Sequence, residues 1–314
     1  MFEIRRYSDN NSASWNDFVK SSKQGTFLFD RHYMDYHRDK FKDCSFMFYK
    51  KGNQYALLPA NIDGDILWSH QGLTYGGIIT NEYATTAEIC TLFDELMSVL
   101  RDMGIKKMIY KPMPWIYQRI PAEEDLYALF GHCHTQLSVR NVSSVIVREK
   151  ELKWRRIRAF GASKFEKEGI VVQQDNTAYK DFWRVLEENL SRTYHAKPVH
   201  SLEEMLRLHA AFPENIRLYV ARYRGETVGG VLLYITPQVV HTQYISASEE
   251  GKHLHAIDGI FHKILTEDFK TCKYFDFGTS NEDGGHYLNE GLIYQKEGFG
   301  GRAVCYDWYE VMIN

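Results

Sequence analysis

Two stretches of this sequence share one pattern: residues 47–60 read MFYKKGNQYALLPA, and residues 218–235 read LYVARYRGETVGGVLLYI. Each consists of two apolar runs around a turn that contains glycine, at Gly52 in the first and Gly225 in the second. This arrangement predicts a β-hairpin in each place, the first of them over residues 45–60. The same series of elements follows both hairpins, so these two stretches decide the fold.

After each hairpin the pattern predicts a short strand, an amphipathic helix, a strand, a second helix and a long last strand. The predicted helices and strands are residues 84–103, 106–110, 123–130 and 137–147 in the first half, and 255–270, 274–277, 287–296 and 302–312 in the second. Corresponding parts lie roughly 165–173 residues apart, beyond the ~20–50 residues of solenoid repeats. The sequence therefore predicts an α/β fold made of a duplicated unit, with domains at residues 1–150 and 151–314.

Composition limits the kind of protein. The chain has 314 residues, enough for two domains of ~150 each, and it is 44% hydrophobic and 25% charged. Its net charge of −3 argues against an overall basic nucleic-acid binder. The most basic stretch, residues 148–168, is predicted to be a helix broken at Gly161.

Cysteine usage and the first residues predict the compartment. The five cysteines are scattered without a CxxC pair, which favours free thiols in a reducing compartment. The first ten residues lack the apolar core of a secretory signal, and no run of ~18 apolar residues occurs. We therefore expect a cytoplasmic protein without a transmembrane segment, present as a monomer or weak dimer.

Several familiar kinds of site are excluded by their missing motifs. His132, Cys133 and His134 are adjacent, so their side chains point in different directions, and no partner pair follows at zinc-site spacing. We therefore expect no metal site. The sequence contains no GxSxG elbow, no GxxxxGK[ST] loop and no GxGxxG after a strand.

The second half carries the candidate catalytic residues. Asp276 interrupts the apolar strand that begins YFDFGTSNEDGG at residue 274, and Glu282 follows where that strand ends. His241 lies on a strand over residues 239–246, where period-two spacing places Gln243 on its face, and Ser246 is a further candidate for that face. A histidine there is suited to act as a base near neutral pH. The alternatives stay open that Asp276 is satisfied by backbone N–H groups and that Glu282 lies in a solvated turn.

Candidate donor-binding residues follow that strand. Ser246, Gly251, Lys252 and His253 lie where a strand turns into a helix, an arrangement that presents backbone N–H groups to an anion or carbonyl oxygen. Lys296, before the last strand, is suited to bind a carboxylate or phosphate as a point charge. The alternative is that these side chains are ordinary surface residues.

A family resemblance follows from the order of several short motifs. They are Gly25-Thr26-Phe27, Tyr75-Gly76-Gly77, Gly229-Gly230, FDFG at 275–278 and KxxFG at 296–300. On a duplicated unit, this order resembles the GNAT superfamily of acyltransferases in the two-domain form shared with Fem-type peptidyltransferases. The resemblance implies tandem GNAT-like domains, each a mostly antiparallel central sheet flanked by helices. It implies that the second domain is catalytic and that the first is structural or binds the acceptor.

The resemblance also implies a reaction. An N-acyltransferase would move an acyl group from an acyl-CoA-type donor to an amine of a small-molecule, nucleotide-sugar or cell-envelope precursor. In the family the amine attacks a carbonyl held in a sheet crevice and polarised by a backbone N–H, while a base removes the proton. No tightly bound cofactor is expected. Gln71, Tyr75 and Tyr294 are expected to bind the acceptor.

One departure from the family keeps the donor open. The family's coenzyme A loop, [QR]-x-x-G-x-[GA], is matched by SEEGKH at residues 248–253, which keeps the glycine alone and adds Glu249 and Glu250. The alternatives are a Fem-like transferase that uses aminoacyl-tRNA, and a non-catalytic binding protein on the same fold. In the tRNA alternative, the basic stretch at residues 148–167 would contact the RNA backbone.

Overall fold

The chain forms two compact units in a computed structural model, which describes residues 1–314 apart from the side chain of Tyr194. The first unit takes Met1–Val142, Asn281–Leu288 and Cys305–Asn314, and the second takes Ser143–Ser280 and Asn289–Val304. The predicted division at residue 150 is a single cut. The observed division is more complex, because a short hairpin and the end of the chain return to the first unit.

The helices and strands alternate along the chain. The helices are α1 (Ser12–Ser21), α2 (Arg31–Met34), α3 (Thr86–Asp102), α4 (Glu124–His132), α5 (Arg156–Lys167), α6 (Tyr179–Tyr194), α7 (Leu202–Ala211), α8 (Glu249–His253), α9 (Ala256–Lys263), which continues as a π-helical turn (Ile264–Asp268), and α10 (Glu290–Gly298). The strands are β1 (Glu3–Arg6), β2 (Lys42–Asp43), β3 (Phe46–Lys50), β4 (Asn53–Leu58), β5 (Asn61–Asp63), β6 (Ile66–Trp68), β7 (Ile79–Thr80), β8 (Lys107–Tyr110), β9 (His134–Val147), β10 (Val171–Gln174), β11 (Ile216–Tyr223), β12 (Glu226–Ile235), β13 (Val239–Ala247), β14 (Tyr274–Thr279), β15 (Asn281–Glu282), β16 (Tyr287–Leu288) and β17 (Arg302–Met312).

The first unit contains two larger sheets and the short two-stranded sheet β15-β16. One has the strand order β1-β3-β4-β7, and the other places β2, β5, β6, β8 and the end of β17 side by side. Neighbouring strands of the second sheet are antiparallel except β6 and β8, which are parallel. Apolar side chains of α3, including Ile89, Phe93 and Leu96, pack on residues of the hairpin such as Phe48 and form the core.

The second unit has one sheet with the order β10-β11-β12-β13-β14-β9. Its neighbours are antiparallel except β13 and β14, which are parallel. Helix α9 packs on β11, β12 and β13, and α6 packs on β12 and β13. Each unit thus has a mostly antiparallel sheet with one parallel junction among its described strands, as expected for a duplicated unit.

Most of the predicted elements are confirmed. The hairpins turn at Gly52 and Gly225, whose φ angles of +80° and +86° lie in the left-handed region that favours glycine. The long helix of the first half is α3, and the last predicted strand, residues 302–312, is β17 as predicted. Ser201 caps α7 in a capping box with Glu204, a pattern visible in the sequence.

The helix predicted over residues 148–168 is wrong in two respects. It begins only at Arg156, after a short 3₁₀ turn at Arg148–Lys150, and it continues through Gly161 without a break. Gly161 serves helix packing instead: a Cβ there would lie 2.1 Å from Oδ2 of Asp258 on α9. None of the described helices has the length and apolarity needed to cross a membrane.

Candidate active site

The parallel junction of the second unit ends at two polar residues. Strands β13 and β14 pair at Val239↔Tyr274, Val240↔Phe275 and His241↔Asp276. Within the described residues their pairing stops there, although β13 runs on to Ala247 and β14 to Thr279. Beyond this point β13 and β14 do not pair with each other, so their backbone groups there are not part of that ladder.

Asp276 is fully buried and held by three donors. The ring nitrogen Nδ1 of His241 lies 2.8 Å from its Oδ2, and the backbone N–H of Gly278 donates to Oδ1 at 2.9 Å. The hydroxyl of Ser143, on β9, also donates to Oδ1. A buried carboxylate is costly unless it is hydrogen bonded, and these donors offset that cost.

This arrangement sets the tautomer of His241. Because the carboxylate accepts a hydrogen bond, Nδ1 carries the proton, and the lone pair of the neutral ring is on Nε2. His241 is 9% exposed, so the ring is largely screened from solvent. The geometry gives a basic nitrogen of fixed orientation at the end of the paired region.

Gly278 and Lys296 shape the end of β14. Gly278 has a φ of +75°, which favours glycine, and a Cβ there would lie 3.4 Å from Cε1 of His241. The ammonium of Lys296 donates to the carbonyls of Gly278 and Thr279 at 3.0 and 2.7 Å. Burial lowers the pKa of Lys296 to about 8, while the charge of Asp276 acts in the opposite direction. Lys296 thus holds the end of the strand, and donor binding by Lys296 stays a prediction.

A β-bulge changes the predicted face of β13. Tyr244 pairs with Leu232 and Thr242 pairs with Leu233, so Gln243 is an extra residue in the strand. The prediction that Gln243 shares the face of His241 is therefore wrong, whereas the prediction that Ser246 shares it is confirmed. The bulge shifts the alternation by one residue, which places His241 and Ser246 on the same face of the sheet.

The third predicted catalytic residue, Glu282, lies in the first unit instead. It belongs to the short exposed strand β15, where it pairs with Tyr287 of β16. The structure brings His241 and Asp276 into hydrogen-bonding contact. The role of Glu282 stays a prediction.

The predicted donor residues lie around the turn from β13 into α8. Ser246 Oγ donates to the carbonyl of Val185 on α6 at 3.4 Å, and the N–H of Gly251 donates to Ser248 Oγ at 3.1 Å. A Cβ at Gly251 would lie 2.0 Å from the carbonyl oxygen of Val228, so this position requires glycine. His253 is exposed at the end of α8.

A cleft of about 350 Å³ lies beside this turn. It is lined by residues of α6 and by the start of α8: Val185, Glu188, Asn189, Ser191, Arg192, Ala247, Ser248 and Glu249. The carboxylate of Glu249 contacts Arg192 and accepts from Lys252 at 2.8 Å, and the Lys252 hydrogen bond is the main reason that the pKa of Glu249 is lowered. The positive charges of Arg192 and Lys252 beside the cleft are therefore partly neutralised by Glu249.

The predicted acceptor residues differ in their accessibility. Gln71 exchanges two hydrogen bonds with Asn61, at 2.5 and 2.8 Å. Tyr75 is 2% exposed, and its hydroxyl donates to Thr26 at 3.2 Å, so it is part of the core of the first unit. Tyr294 is 53% exposed, and the guanidinium carbon of Arg155 lies over its ring, 4.0 Å from the ring centre. Acceptor binding by these residues stays a prediction.

The first unit closes its own parallel junction. The pairing of β6 with β8 ends at Trp68↔Ile109, and the loop that follows fills the adjacent space. The buried ammonium of Lys111 donates to the carbonyl of Leu73 at 2.6 Å, and the N–H of Gly76 donates to the carbonyl of Lys111 at 2.8 Å. The loop after β6 and the residue after β8 are thus hydrogen bonded to each other beyond the paired region.

Ser143 is the member of the site that sequence reasoning missed. It lies fully buried on β9, opposite Thr279 of β14. Two adjacent serines at 143 and 144, in a strand that is otherwise apolar near its end, were the available signal. The three neighbouring residues His132, Cys133 and His134 were considered above as possible metal ligands. In the structure, Nδ1 of His132 lies 3.2 Å from the carboxylate of Asp94. No group of three or more side chains able to bind a metal ion occurs among the described residues.

Comparisons with known proteins agree with this architecture. Residues 152–287 match the family model described as an acetyltransferase (GNAT) domain. No curated protein sequence matches the chain. The resemblance inferred from the sequence is confirmed for the second half by this family match.

Solved structures share the fold of the whole chain. FemX superposes with a TM-score of 0.68 at 10% identity, covering 97% of this chain and 96% of FemX. L-PGS from Bacillus licheniformis superposes with a TM-score of 0.63 at 13% identity, covering 99% of this chain and 93% of L-PGS. A tandem GNAT protein from the clavulanic acid biosynthesis pathway superposes with a TM-score of 0.56 at 8% identity, covering 100% of this chain and 99% of that protein. The fold is therefore a tandem GNAT fold of the Fem-like type.

Proposed function

Starting from a tandem GNAT fold with an acetyltransferase domain at residues 152–287, we propose that this protein is an N-acyltransferase whose chemistry lies in the second unit. The proposal rests on one observation: the hydrogen-bonded pair of His241 and Asp276 at the point where the parallel pairing of β13 and β14 ends. A fold alone does not imply a function, so the argument depends on this pair. The acceptor is an amine of a small-molecule, nucleotide-sugar or cell-envelope precursor.

The reaction has one bond-forming and one bond-breaking step. The acceptor amine attacks the carbonyl carbon of a thioester and forms the new C–N bond. His241 Nε2 takes the amine proton, and the Asp276 carboxylate stabilises the imidazolium that results. The C–S bond then breaks, and the leaving thiolate takes the proton from the His241 imidazolium, which restores the neutral ring. General-base catalysis of this kind contributes ~10²–10⁴-fold to the rate.

The unpaired strand edges supply the remaining requirement. During the attack, negative charge develops on the carbonyl oxygen, and a fixed backbone N–H at hydrogen-bonding distance stabilises it. Backbone groups of β13 beyond His241 are not engaged with β14 and are suited to this role. No covalent enzyme intermediate is needed.

The donor that we propose is an acyl-CoA-type thioester, bound as a co-substrate near the turn between β13 and α8. Gly251 keeps the turn close to β12, and Lys252 and His253 follow it with side chains that attract phosphates. The cleft of about 350 Å³ beside this turn has room for part of such a donor.

Thermal unfolding with a panel of acyl-CoAs tests the donor. We expect at least one thioester to raise the melting temperature, and we expect the shift to persist in His241→Gln, which keeps the donor turn intact. Transfer to an amine by that thioester should fall ~10²–10⁴-fold in the same variant. If no acyl-CoA shifts the melting temperature, the acyl-CoA proposal is wrong.

The two acidic residues in the turn between β13 and α8 favour a second candidate function. It is an aminoacyl-tRNA-dependent transferase of the Fem-like type. Glu249 and Glu250 occupy the stretch that matches the family's pyrophosphate loop, and Glu249 already engages Arg192 and Lys252. A carboxylate there opposes a pyrophosphate group but leaves an ester-linked amino acid unopposed. Filter binding to charged tRNA at two salt concentrations tests this candidate, because phosphate contacts weaken as salt rises. Salt-insensitive or absent binding would exclude it.

A further inference from the structure

The outward face of α5 combines cations with exposed apolar side chains. Ile157 and Phe160 are 48% and 61% exposed, and Arg156 and Lys167 are also exposed. With 3.6 residues per turn, positions 156, 160, 164 and 167 fall on one side of the helix, and 157 adjoins them. We call the residues Arg156, Ile157, Phe160, Lys164 and Lys167 the outer face of α5.

The opposite side of α5 fixes this orientation. Gly161, Ala162 and Phe165 are buried, and a Cβ at Gly259 of α9 would lie 2.3 Å from the Phe165 ring. Helices α5 and α9 therefore pack closely. Since the inner side is committed to this contact, the outer face stays turned away from the core of its unit.

The cations of the outer face are free of carboxylates, unlike their neighbours. Arg158 pairs with Asp258 at 2.7 Å, and Arg155 lies 3.6 Å from Glu297. Arg156, Lys164 and Lys167 make no ion pair within the described part of the chain. Glu166, at the edge of the face, lies 3.8 Å from His262.

We propose that the outer face of α5 docks on an anionic lipid surface. Cations beside exposed apolar side chains fit such a surface, where phosphates attract the charges and the apolar groups enter the boundary of the acyl chains. The aliphatic side chain of Ile157, and Leu152 just before the helix at 43% exposed, favour lipid over RNA. RNA binds to cations and to aromatic rings that stack on its bases, and aliphatic side chains make neither contact. Because the net charge of the chain is −3, attraction to an anionic surface has to come from a local group of cations such as this one.

Vesicle cosedimentation of the full chain tests the proposal. We expect binding to vesicles of phosphatidylglycerol and phosphatidylcholine, little binding to phosphatidylcholine alone, and release in ~1 M salt, where the Debye length is ~3 Å. The double variant Arg156→Glu with Lys167→Glu should lower partitioning by more than ~10-fold. Ile157→Ser with Phe160→Ser should lower it as well, since these side chains are the apolar anchors.

A matched control removes two exposed large side chains from another helix. Tyr127 and Phe130 on α4 are 57% and 86% exposed, and Tyr127→Ser with Phe130→Ser should leave vesicle binding unchanged. All the substituted side chains are solvent-exposed or nearly so, and thermal unfolding of each variant checks that the fold is kept. The proposal is overturned if the wild-type chain ignores anionic vesicles, if neither outer-face variant loses binding, or if bulk tRNA rather than vesicles responds to those variants.

Discussion

A single buried carboxylate organises the candidate site. Asp276 has no exposed surface, yet it accepts from an imidazole, a hydroxyl and a backbone N–H. Each donor comes from a different place in the chain: His241 on β13, Ser143 on β9 and Gly278 at the end of its own strand. A carboxylate in this position fixes the orientation of the His241 ring.

The tautomer of His241 is the first prediction. In ¹⁵N NMR of the neutral ring, Nδ1 should carry the proton, because it donates to Asp276. Asp276→Asn should remove this preference and lower acyl transfer by ~10²-fold or more. Ser143→Ala is the control: it should keep the tautomer and cost ~1 kcal/mol of unfolding free energy. A wild-type ring protonated on Nε2 would contradict the role given to His241.

At the scale of elements, two adjacent glycines let a helix approach each face of the central sheet. A Cβ at Gly229 would lie 3.2 Å from Ala256 of α9, and a Cβ at Gly230 would lie 2.4 Å from the Phe182 ring of α6. Both residues lie on β12 with their side-chain positions on opposite faces. The pair therefore sets the distance between the sheet and both helices.

Replacing Gly230 by alanine is the second prediction. The added methyl would overlap the Phe182 ring, so we expect a loss of ~1–3 kcal/mol in unfolding free energy from chemical denaturation. Gly131→Ala on α4 is the matched control. There the methyl would lie 3.9 Å from the Tyr127 ring, and the better helix propensity of alanine should raise stability by up to ~1 kcal/mol. Equal effects at the two positions would contradict the packing argument.

Elements with a strong local pattern were predictable from the sequence. The hairpins at Gly52 and Gly225 and the helix α3 each follow from turn chemistry or apolar period. The bulge at Gln243 was not, because it depends on pairing with β12 rather than on local sequence. The start of α5 was also missed, since charge and helix propensity alone do not show where tertiary packing begins.

The site was predictable to a lesser extent. The sequence singled out His241 and Asp276 separately, and their contact depends on a parallel pairing between strands that local patterns do not reveal. Ser143 and the engagement of Lys296 by carbonyl oxygens depend on the same long-range geometry. Residue type therefore indicated candidates, while their grouping required the fold.

At the scale of the whole molecule, each unit carries a buried lysine held by backbone carbonyls. Lys111 in the first unit is 3% exposed, and Lys296 in the second is 6% exposed. Burial lowers the pKa of Lys111 to about 7 and is the main reason that the pKa of Lys296 is lowered to about 8. Both values lie well below the 10.5 of an ordinary lysine.

The pH dependence of stability is the third prediction. Above about pH 7 the native state releases the Lys111 proton, whereas the unfolded chain keeps it to near pH 10.5. The unfolded chain then binds more protons, so unfolding free energy rises with pH. Between about pH 7 and about pH 9, we expect the unfolding free energy of the Lys111→Met variant to rise by roughly 2 kcal/mol less than that of the wild type. Lys106→Met, at a side chain 78% exposed, should follow wild type. Parallel curves for Lys111→Met and wild type would contradict the prediction.

The discontinuous first unit has a consequence for synthesis of the chain. Its strand β8 pairs with Tyr309–Met312 of β17, at the far end of the sequence. At ~5–20 residues per second, the ribosome reaches β17 on the order of ten seconds or more after Val142. During that time β8 has an unpaired edge, and nascent chains stalled before Cys305 should be more sensitive to protease in the first unit than finished chains. The N-terminal half is made first, but its sheet is complete only after residues 309–312 have been made.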